Sequence, residues 1–379
     1  MHLWSCCRAL VVIAPLLCSG GCQTGLQRPV PIQTEVLAPD IEVAPATSVE
    51  LPTVTAPQPA TPLPAAQPIL AVQPARAAGW PTNWVNTWVS LESWRRFNDL
   101  VSMDKYGDNG SPTYRVQTGA GILSLKVGSR VASYDGLEYW LGVAPQIIGG
   151  APYVHWIDAQ KFLQPLVRPA RYCCLNGSRT IVIDAGHGGR DLGASSGSSA
   201  SAEKDYTLDW ALRLQALLIT NGWKVVMTRT ADFDLGLAER VAIAEQAKAD
   251  FFLSLHFNSG SANRDLAGIE TYCLTPLGMP SHLTRNYEDD VRQVFPNNTF
   301  DEQNAQAAVR LHRSLLQRSG AQDRGVRRAR FMTVLRGQSR PAVLIEGGYL
   351  TNPREAQRIA SASYRQLLAE AVATGLQID

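Results

Sequence analysis

The chain of 379 residues lacks a strong charge imbalance, a membrane-length apolar run and a dense set of cysteines. Its 35 basic and 33 acidic residues leave a net charge of +2, which excludes the strongly basic surface of a dedicated nucleic-acid binder. Seven cysteines, none of them in a CxxC pair, are too few for a disulfide scaffold and do not indicate a zinc ribbon. The chain is long enough for two modest domains with hydrophobic cores.

Residues 1–22 have the pattern of a secretory signal peptide. An apolar run at 9–17 follows Arg8 and is far shorter than the ~20 residues that span a bilayer. Small residues precede Cys22, and this ending resembles the bacterial lipoprotein signal, in which the cysteine is acylated after cleavage. Such signals usually carry leucine where this chain has Ser19. We expect a lipid anchor at Cys22, with ordinary secretion to the periplasm as the alternative.

Residues 23–79 contain no aromatic residue and are rich in proline, alanine, threonine and glutamine. This composition cannot bury enough apolar surface to offset the entropy that ordering the segment would cost. We therefore predict a disordered tether, which in polyproline II form would reach at most ~150 Å at ~3.1 Å per residue.

The composition becomes globular between residues 80 and 170. Helix-like spacing at 91–97 is followed by alternating segments with strand character, which predicts a small α+β domain. Residues 122–129 and 150–154 resemble the copper amine oxidase N-terminal-like domain of bacterial envelope proteins. The resemblance implies a spacer or wall-contacting module. His155 is the single histidine of this region, so a copper site has little support.

Strand-like and helix-like segments alternate between residues 178 and 379. Apolar runs at 180–183, 251–255, 331–335 and 342–345 are expected to be strands. The alternation predicts an α/β domain with an open, mostly parallel sheet and helices on both faces. Ligands of such sheets bind at the carboxyl ends of the strands.

Histidines and carboxylates lie at those predicted strand ends. His187 follows the first strand, His256 follows 251–255, Glu346 follows the last strand, and Glu203 begins the helix after the first strand. Two histidines and a carboxylate are a common zinc set when one coordination position stays open to water, and a second carboxylate can then carry the proton. Because parallel strands share one carboxyl edge, these side chains can converge.

The same residues lie in blocks that resemble the Amidase_3 family of zinc-dependent N-acetylmuramoyl-L-alanine amidases. The resemblance covers residues 178–379, and its blocks are 184–194, 203–205, 237–240, 254–258, 323–326 and 341–346. It implies that His187, Glu203 and His256 bind one Zn²⁺ ion and that Glu346 is the catalytic acid/base.

The resemblance also implies a function. The protein would hydrolyse peptidoglycan at the amide bond between N-acetylmuramic acid and the L-alanine of the stem peptide (EC 3.5.1.28), using zinc-activated water on the periplasmic side of the cell envelope, anchored to the outer membrane. A non-catalytic peptidoglycan-binding envelope protein is the alternative. A serine hydrolase using Ser195 is less well supported, because no strand precedes this G-x-S-x-G sequence.

Other residues carry weaker expectations. Asp184 and Asn258 neighbour the implied ligands and are expected to orient them or to fix their loops. A basic run is expected to form a solvated face, with contact to stem-peptide carboxylates as the functional alternative. The run comprises Arg324, Arg327, Arg328 and Arg330.

His282 and His312 lie outside the motifs and are expected at the surface. Residues 275–303 have the character of an insertion near the groove, and its Glu288-Asp289-Asp290 sequence leaves open whether it shields the zinc until a regulatory protein moves it. A disulfide also stays open among three cysteines, Cys173, Cys174 and Cys273.

Overall fold

The computed structural model describes residues 87–108, 110–119, 121–168, 178–196, 202–261, 263–283 and 289–377. The predicted signal peptide, Cys22 and the predicted tether therefore lie outside the described residues. Within those described ranges, no helix combines the length and the apolar character needed to cross a membrane.

In these ranges the strands are β1 (Trp88–Ser90), β2 (Met103–Tyr106), β3 (Thr113–Thr118), β4 (Gly121–Lys126), β5 (Val131–Tyr134), β6 (Leu137–Trp140), β7 (Gln146–Ile148), β8 (Ala151–His155), β9 (Thr180–Ala185), β10 (Lys224–Met227), β11 (Phe251–Asn258), β12 (Ile269–Cys273), β13 (Asp323–Arg328) and β14 (Ala342–Tyr349). The α-helices are α1 (Leu91–Phe97), α2 (Trp156–Asp158), α3 (Gln164–Val167), α4 (Glu203–Thr220), α5 (Leu237–Gln246), α6 (Asp301–Ser319), α7 (Thr333–Arg336), α8 (Pro353–Ala360) and α9 (Ala362–Gly375). A π-helical segment joins α2 to α3, and a 3₁₀ helix precedes α6.

The main sheet has the strand order β10-β9-β11-β14-β12-β13-β6-β5-β4-β3-β2. From β10 to β13 all neighbouring strands are parallel except β12 and β14, which are antiparallel. The open, mostly parallel sheet predicted for the C-terminal region is therefore confirmed. The parallel strands β9, β11 and β14 end at one edge, and this edge carries the candidate site.

Alternate residues of a strand point to opposite faces of the sheet. Helices cover both faces of this part of the sheet, so both sets of residues are buried. Phe251, Leu253 and Leu255 of β11 belong to the core that includes Trp210 of α4. Phe252, on the opposite face, belongs to a second core with residues of α5 and α7. His256 follows Phe252 by four residues in the same strand, so its side chain lies on the face that α5 and α7 cover.

The region 87–168 continues this sheet. Strands β2 to β6 form an antiparallel meander, and β6 lies parallel to β13, with Tyr139 opposite Val326. Strands β1, β8 and β7 form a separate antiparallel sheet. Arg328 of β13 reinforces the joint: its guanidinium carbon lies 3.2 Å from the centre of the Phe162 ring, and it donates to the Tyr139 hydroxyl at 2.9 Å.

The predicted strand at 331–335 is wrong. Residues 333–336 form α7, in which Val334 and Leu335 pack into the second core beside α5. The strand at this point of the fold is β13, whose arginines hide the apolar alternation that identifies a strand from sequence. Arg327 and Arg328 are buried and Arg324 is half-buried, because carboxylates, carbonyl oxygens and aromatic rings compensate their charges in the folded chain.

Candidate metal centre

Two strand ends and one helix start bring His187, Glu203 and His256 together. His187 follows β9, His256 lies near the end of β11, and Glu203 is the first residue of α4. One ligand atom from each residue lies within 4.8 Å of the others. Residues far apart in the chain therefore form a compact set of two imidazoles and one carboxylate.

The spacing of these atoms fits one shared metal ion. Nε2 of His187 lies 3.1 Å from Oε2 of Glu203, and Nδ1 of His256 lies 3.0 Å from Oε1 of Glu203. Ligands bound tetrahedrally at ~2.0–2.1 Å stand about 3.3 Å from one another. The donor set and its spacing thus suit an ion such as zinc.

Glu203 is held rigidly as an anion. Its side chain is buried, and its two oxygens accept hydrogen bonds from the backbone N–H groups of Phe257 at 2.9 Å and Ala194 at 2.7 Å. Burial alone would raise the pKa of Glu203, but hydrogen bonds with His187 and His256 outweigh burial and hold this pKa below its usual range. The carboxylate is therefore ionised and oriented before any cation binds.

His187 is positioned by its own loop. Its Nδ1 lies 2.8 Å from Oδ2 of Asp191, which leaves Nε2 facing Glu203. The backbone of His187 has a φ of +60°, a left-handed conformation that is uncommon for a residue with a bulky side chain. Gly193 is also left-handed, and a Cβ added at this position would lie 2.6 Å from the His187 ring. The loop therefore has room for glycine alone at that position.

Asp191 is a residue that the sequence reasoning missed. A carboxylate four residues after a histidine, within one glycine-rich loop, was the available signal. Of the two roles expected for Asp184, the contacts favour fixing the loop. Asp184 accepts hydrogen bonds from Thr228 at 2.8 Å, Ser254 at 2.7 Å and Arg240 at 2.7 Å. Arg240 also donates to the backbone oxygen of His187 at 2.7 Å.

Glu346 lies beside His256 in the sheet. The two residues are opposite each other on the neighbouring strands β14 and β11 and therefore point to the same face. Its Oε2 is shielded from solvent and has no hydrogen-bond partner among the described residues. Burial, with the nearby negative charges of Glu203 and Glu270, raises the pKa of Glu346 well above its ordinary value. An unpaired carboxyl group of this kind can hold and release a proton.

A cavity of about 440 Å³ opens beside the ligands. His187, His256 and Asp191 line its polar side, while its apolar wall is formed by Leu235, Leu237, Phe331, Met332 and Val334. The wall comes from the start of α5 and from the segment between β13 and α7. The metal centre thus faces a space large enough for a small part of a polymeric substrate.

The expectation of a solvated basic face is wrong. Arg328 and Arg330 are buried, and Arg330 donates to backbone oxygens, including that of Pro276 at 3.1 Å. Arg324 and Arg327 both contact Glu270, at 2.9 Å and 3.5 Å. The charges are accommodated because each guanidinium faces a carboxylate, a carbonyl oxygen or an aromatic ring.

The expectation that His282 and His312 are surface residues is also wrong. His312 is fully buried, with Nδ1 2.8 Å from the Thr271 hydroxyl and Nε2 2.9 Å from Asp323. His282 exchanges two hydrogen bonds with the backbone of Arg328, at 2.9 Å and 3.0 Å. Both histidines satisfy polar groups in the core, a role that a lone histidine does not reveal in sequence.

In the described parts of 275–303, His282 hydrogen-bonds with the backbone of Arg328 in β13, and Met279 lies beside Gly142 of the smaller region. Glu288 lies outside the described residues. Asp289 accepts from the backbone N–H of Ser281, and Asp290 accepts from that of Arg292. The contacts of these two aspartates are therefore within the segment itself.

Two further expectations concern Ser195 and the cysteines. Residues 192–196 have no regular secondary structure, so Ser195 lacks the preceding strand that a nucleophile elbow requires. Cys273 is a buried free thiol in β12, and Cys173 and Cys174 lie outside the described residues.

Comparison with known proteins bears on residues 181–378, which match the family model described as N-acetylmuramoyl-L-alanine amidase. N-acetylmuramoyl-L-alanine amidase CwlM of Bacillus licheniformis is 33% identical over 198 residues, which are 52% of this chain and 66% of CwlM. The sporulation-specific N-acetylmuramoyl-L-alanine amidase of Bacillus subtilis is 33% identical over 199 residues, with the same coverage of both chains. The match thus spans about two thirds of the length of these relatives.

Among solved structures, N-acetylmuramoyl-L-alanine amidase AmiC2 of Nostoc punctiforme is similar at 34% sequence identity. This match covers 53% of the present chain and 96% of the AmiC2 chain, with a TM-score of 0.44. The catalytic domain of CwlV from Paenibacillus polymyxa is 32% identical, with coverage of 52% and 96% and the same TM-score.

Proposed function

Because the chain belongs to the N-acetylmuramoyl-L-alanine amidase family of peptidoglycan hydrolases, we propose that it cleaves the amide bond between N-acetylmuramic acid and L-alanine of the stem peptide. The observation that carries this proposal is the convergence of His187, Glu203 and His256 next to Glu346 at one sheet edge. The products would be a glycan strand without its peptide and a free stem peptide with a new amino terminus.

We assign His187, Glu203 and His256 as the ligands of one zinc ion. A zinc ion bound there would supply Lewis acidity, which polarises a carbonyl group and makes a bound water acidic near neutral pH. The anionic Glu203 and its two backbone hydrogen bonds preorganise the site for a cation. Asp191 fixes the orientation of the His187 ring, as hydrogen-bond partners of metal-binding histidines commonly do.

We assign Glu346 as the catalytic acid/base. Its carboxylate takes a proton from the attacking water and donates it to the amine nitrogen that leaves with the stem peptide. The unpartnered Oε2 is free to exchange this proton, and the raised pKa brings Glu346 closer to the operating pH, where general acid/base catalysis is most efficient. A non-catalytic wall-binding module has no use for a carboxyl group whose shielded Oε2 lacks a partner.

Digestion of purified peptidoglycan tests the proposal. Mass spectrometry should find stem peptides with free L-alanine amino termini and intact glycan strands, and a chelator should abolish this release. A serine-directed phosphonate should have no effect on it. Cleavage at any other bond would reject the amidase assignment, and cleavage that survives complete metal removal would reject the zinc site.

The location of the protein is a proposal that rests on sequence. The signal-like residues 1–22 and relatives described as cell wall amidases support a position in the cell envelope, on the periplasmic side. We propose acylation of Cys22 and anchoring to the outer membrane, with residues 23–79, outside the described residues, linking the anchor to the remainder of the chain. Residues 80–170, with their resemblance to the copper amine oxidase N-terminal-like domain, would be a spacer or wall-contacting module. A regulatory protein acting on 275–303 is a further proposal.

A further inference from the structure

A row of three side chains, one histidine and two glutamates, crosses the catalytic edge of the sheet and begins at the assigned metal ligand His256. Glu346 of β14 lies opposite His256 of β11 on one side and opposite Glu270 of β12 on the other. Residues directly opposite on neighbouring strands share a face, and adjacent strands lie ~4.8 Å apart. Glu270 therefore lies on the same face as His256, about 10 Å from it along the sheet.

Glu270 is a buried carboxylate with an unusually full set of donors. Its oxygens accept hydrogen bonds from the hydroxyls of Tyr272 at 2.7 Å and Tyr349 at 2.9 Å, and from the side-chain amide of Asn258 at 2.9 Å. It also pairs with two arginines, at 2.9 Å and 3.5 Å. One carboxylate thus pairs with two guanidinium groups beside the catalytic edge.

The two arginines differ in their contacts and in the exposed fraction of their side chains. Arg327 lies over the Trp140 ring at 4.5 Å, donates through Nε to the backbone oxygen of Arg324 and keeps 11% of its side chain exposed. Arg324 contacts Glu270 through Nε, and 20% of its side chain stays exposed. A guanidinium has five N–H donors, so Arg324 presents an oriented donor edge to solvent.

Tyr349 fixes where this donor edge lies. Tyr349 pairs with Asn258 in the register of β14 and β11, just beyond Glu346 and His256, and the Arg324 guanidinium stands 5.2 Å from the centre of its ring. The donor edge is therefore at the carboxyl end of the strands that carry the metal ligand and the acid/base. A planar guanidinium held on one side favours bidentate binding of a carboxylate on the other.

We propose that Arg324 binds a carboxylate of the stem peptide and makes that carboxylate a specificity determinant. The inference rests on the proposed amidase function. With the scissile amide at the metal centre, an extended peptide advances ~3.3–3.6 Å per residue. Glu270, which Arg324 contacts at 2.9 Å, lies about 10 Å from His256, and this distance corresponds to the second or third residue of the stem. Both positions carry carboxylates in peptidoglycan that has not been amidated.

Matched soluble substrates test this proposal in the full-length, metal-loaded protein. Muramyl tripeptides are compared with the carboxylate of the second residue free or amidated, and separately with that of a diaminopimelate third residue free or amidated. The wild-type protein should cleave one free form with a kcat/KM about tenfold to a hundredfold above its amidated counterpart, the range of one charged hydrogen-bonding contact. The pair that shows the difference identifies which carboxylate Arg324 binds.

Substitution then assigns the preference to the side chain. Arg324→Gln should reduce the ratio to near one, Arg324→Lys should keep part of it, and the matched control Arg327→Gln should retain the wild-type ratio. A wild-type ratio near one for both pairs would overturn the proposal even if Arg324→Gln fails to fold, and so would a ratio that persists in folded Arg324→Gln. If the wild-type protein cleaves none of the substrates or peptidoglycan, the amidase function itself fails.

Discussion

Single side chains outside the proposed ligand set position the residues of the candidate metal centre. Asp191 orients His187, and backbone N–H groups fix Glu203. Glu346 is distinguished by the opposite property, since its Oε2 has no partner in the described part of the chain. The candidate site therefore combines tightly held side chains with one carboxyl oxygen that has no partner among the described residues.

The role of Glu346 predicts a large loss of turnover on conservative replacement. Glu346→Gln keeps the shape of the side chain but cannot accept the proton, so kcat should fall by ~10²–10⁴. Zinc content measured by elemental analysis should stay at one ion per chain, because Glu346 is not assigned as a ligand. Unchanged kcat would remove Glu346 from the mechanism, and loss of zinc would make it a ligand.

The contact between Asp191 and His187 predicts weaker metal binding when it is lost. Asp191→Ala frees the His187 ring to rotate, and loss of such an orienting partner costs ~10–100-fold in affinity. Competition with a chromogenic chelator measures this affinity. Asp191→Asn, which retains an acceptor for the ring N–H, should lose less. Equal affinities for wild type and Asp191→Ala would show that the loop alone positions His187.

Between elements, α5 is fastened to β9 and the His187 loop by one arginine. Arg240 donates to Asp184 at 2.7 Å and to the backbone oxygens of Ala185 and His187, both at 2.7 Å. Asp184 is fully buried, and Arg240 is nearly so. The helix, the strand end and the ligand loop therefore depend on one buried ion pair.

Removing one partner of this ion pair should be strongly destabilising. Arg240→Leu leaves the Asp184 carboxylate buried without its counter-charge, which typically costs ~3–5 kcal/mol in the free energy of unfolding. Urea unfolding of metal-free protein measures the change. The double variant Asp184→Asn/Arg240→Leu removes the unpaired charge and should recover part of the loss. A loss below ~1 kcal/mol in the single variant would mean that Thr228 and Ser254 suffice to stabilise Asp184.

In the whole molecule, the smaller region and the larger sheet share a buried polar joint. Arg328 of β13 reaches Tyr139 and Phe162, and Asp158 accepts from the backbone N–H groups of Gly142 at 2.8 Å and Val143 at 2.9 Å. Burial raises the pKa of Asp158 to about 7, although these two hydrogen bonds oppose the shift. The folded chain therefore holds a proton on Asp158 that the unfolded chain releases near pH 4.

This shift gives a pH-dependent stability with a defined sign. An acid whose folded pKa is raised contributes stability that is complete below its unfolded pKa and is lost as the pH rises through about 7. Urea unfolding at pH 5 and pH 8 should show wild type losing about 1–3 kcal/mol relative to Asp158→Asn, whose amide does not titrate. The control variant Asp104→Asn, at an exposed position, should show the same change in the free energy of unfolding as wild type. Parallel profiles for wild type and Asp158→Asn would contradict the shift.

The sequence alone was sufficient for the mostly parallel sheet and for a short set of candidate site residues. Apolar runs at β9, β11 and β14 are local patterns, and residues that follow parallel strands must meet at one edge. His187, His256 and Glu346 were recognisable on that basis, because ionisable side chains that follow buried strands are better explained by a functional site than by packing.

Only the tertiary structure decided which charged and polar side chains are buried, because their partners are distant in the chain. Arg327 and Arg328 of β13 are buried because Glu270, Phe162 and a backbone oxygen compensate their charges, and no local pattern reveals those partners. The free edge of Arg324, the pairing of β6 with β13 and the burial of His312 arise in the same way. Hydrophobic periodicity is a property of neighbours in the chain, whereas the energetic cost of a buried charge depends on which groups surround it in space.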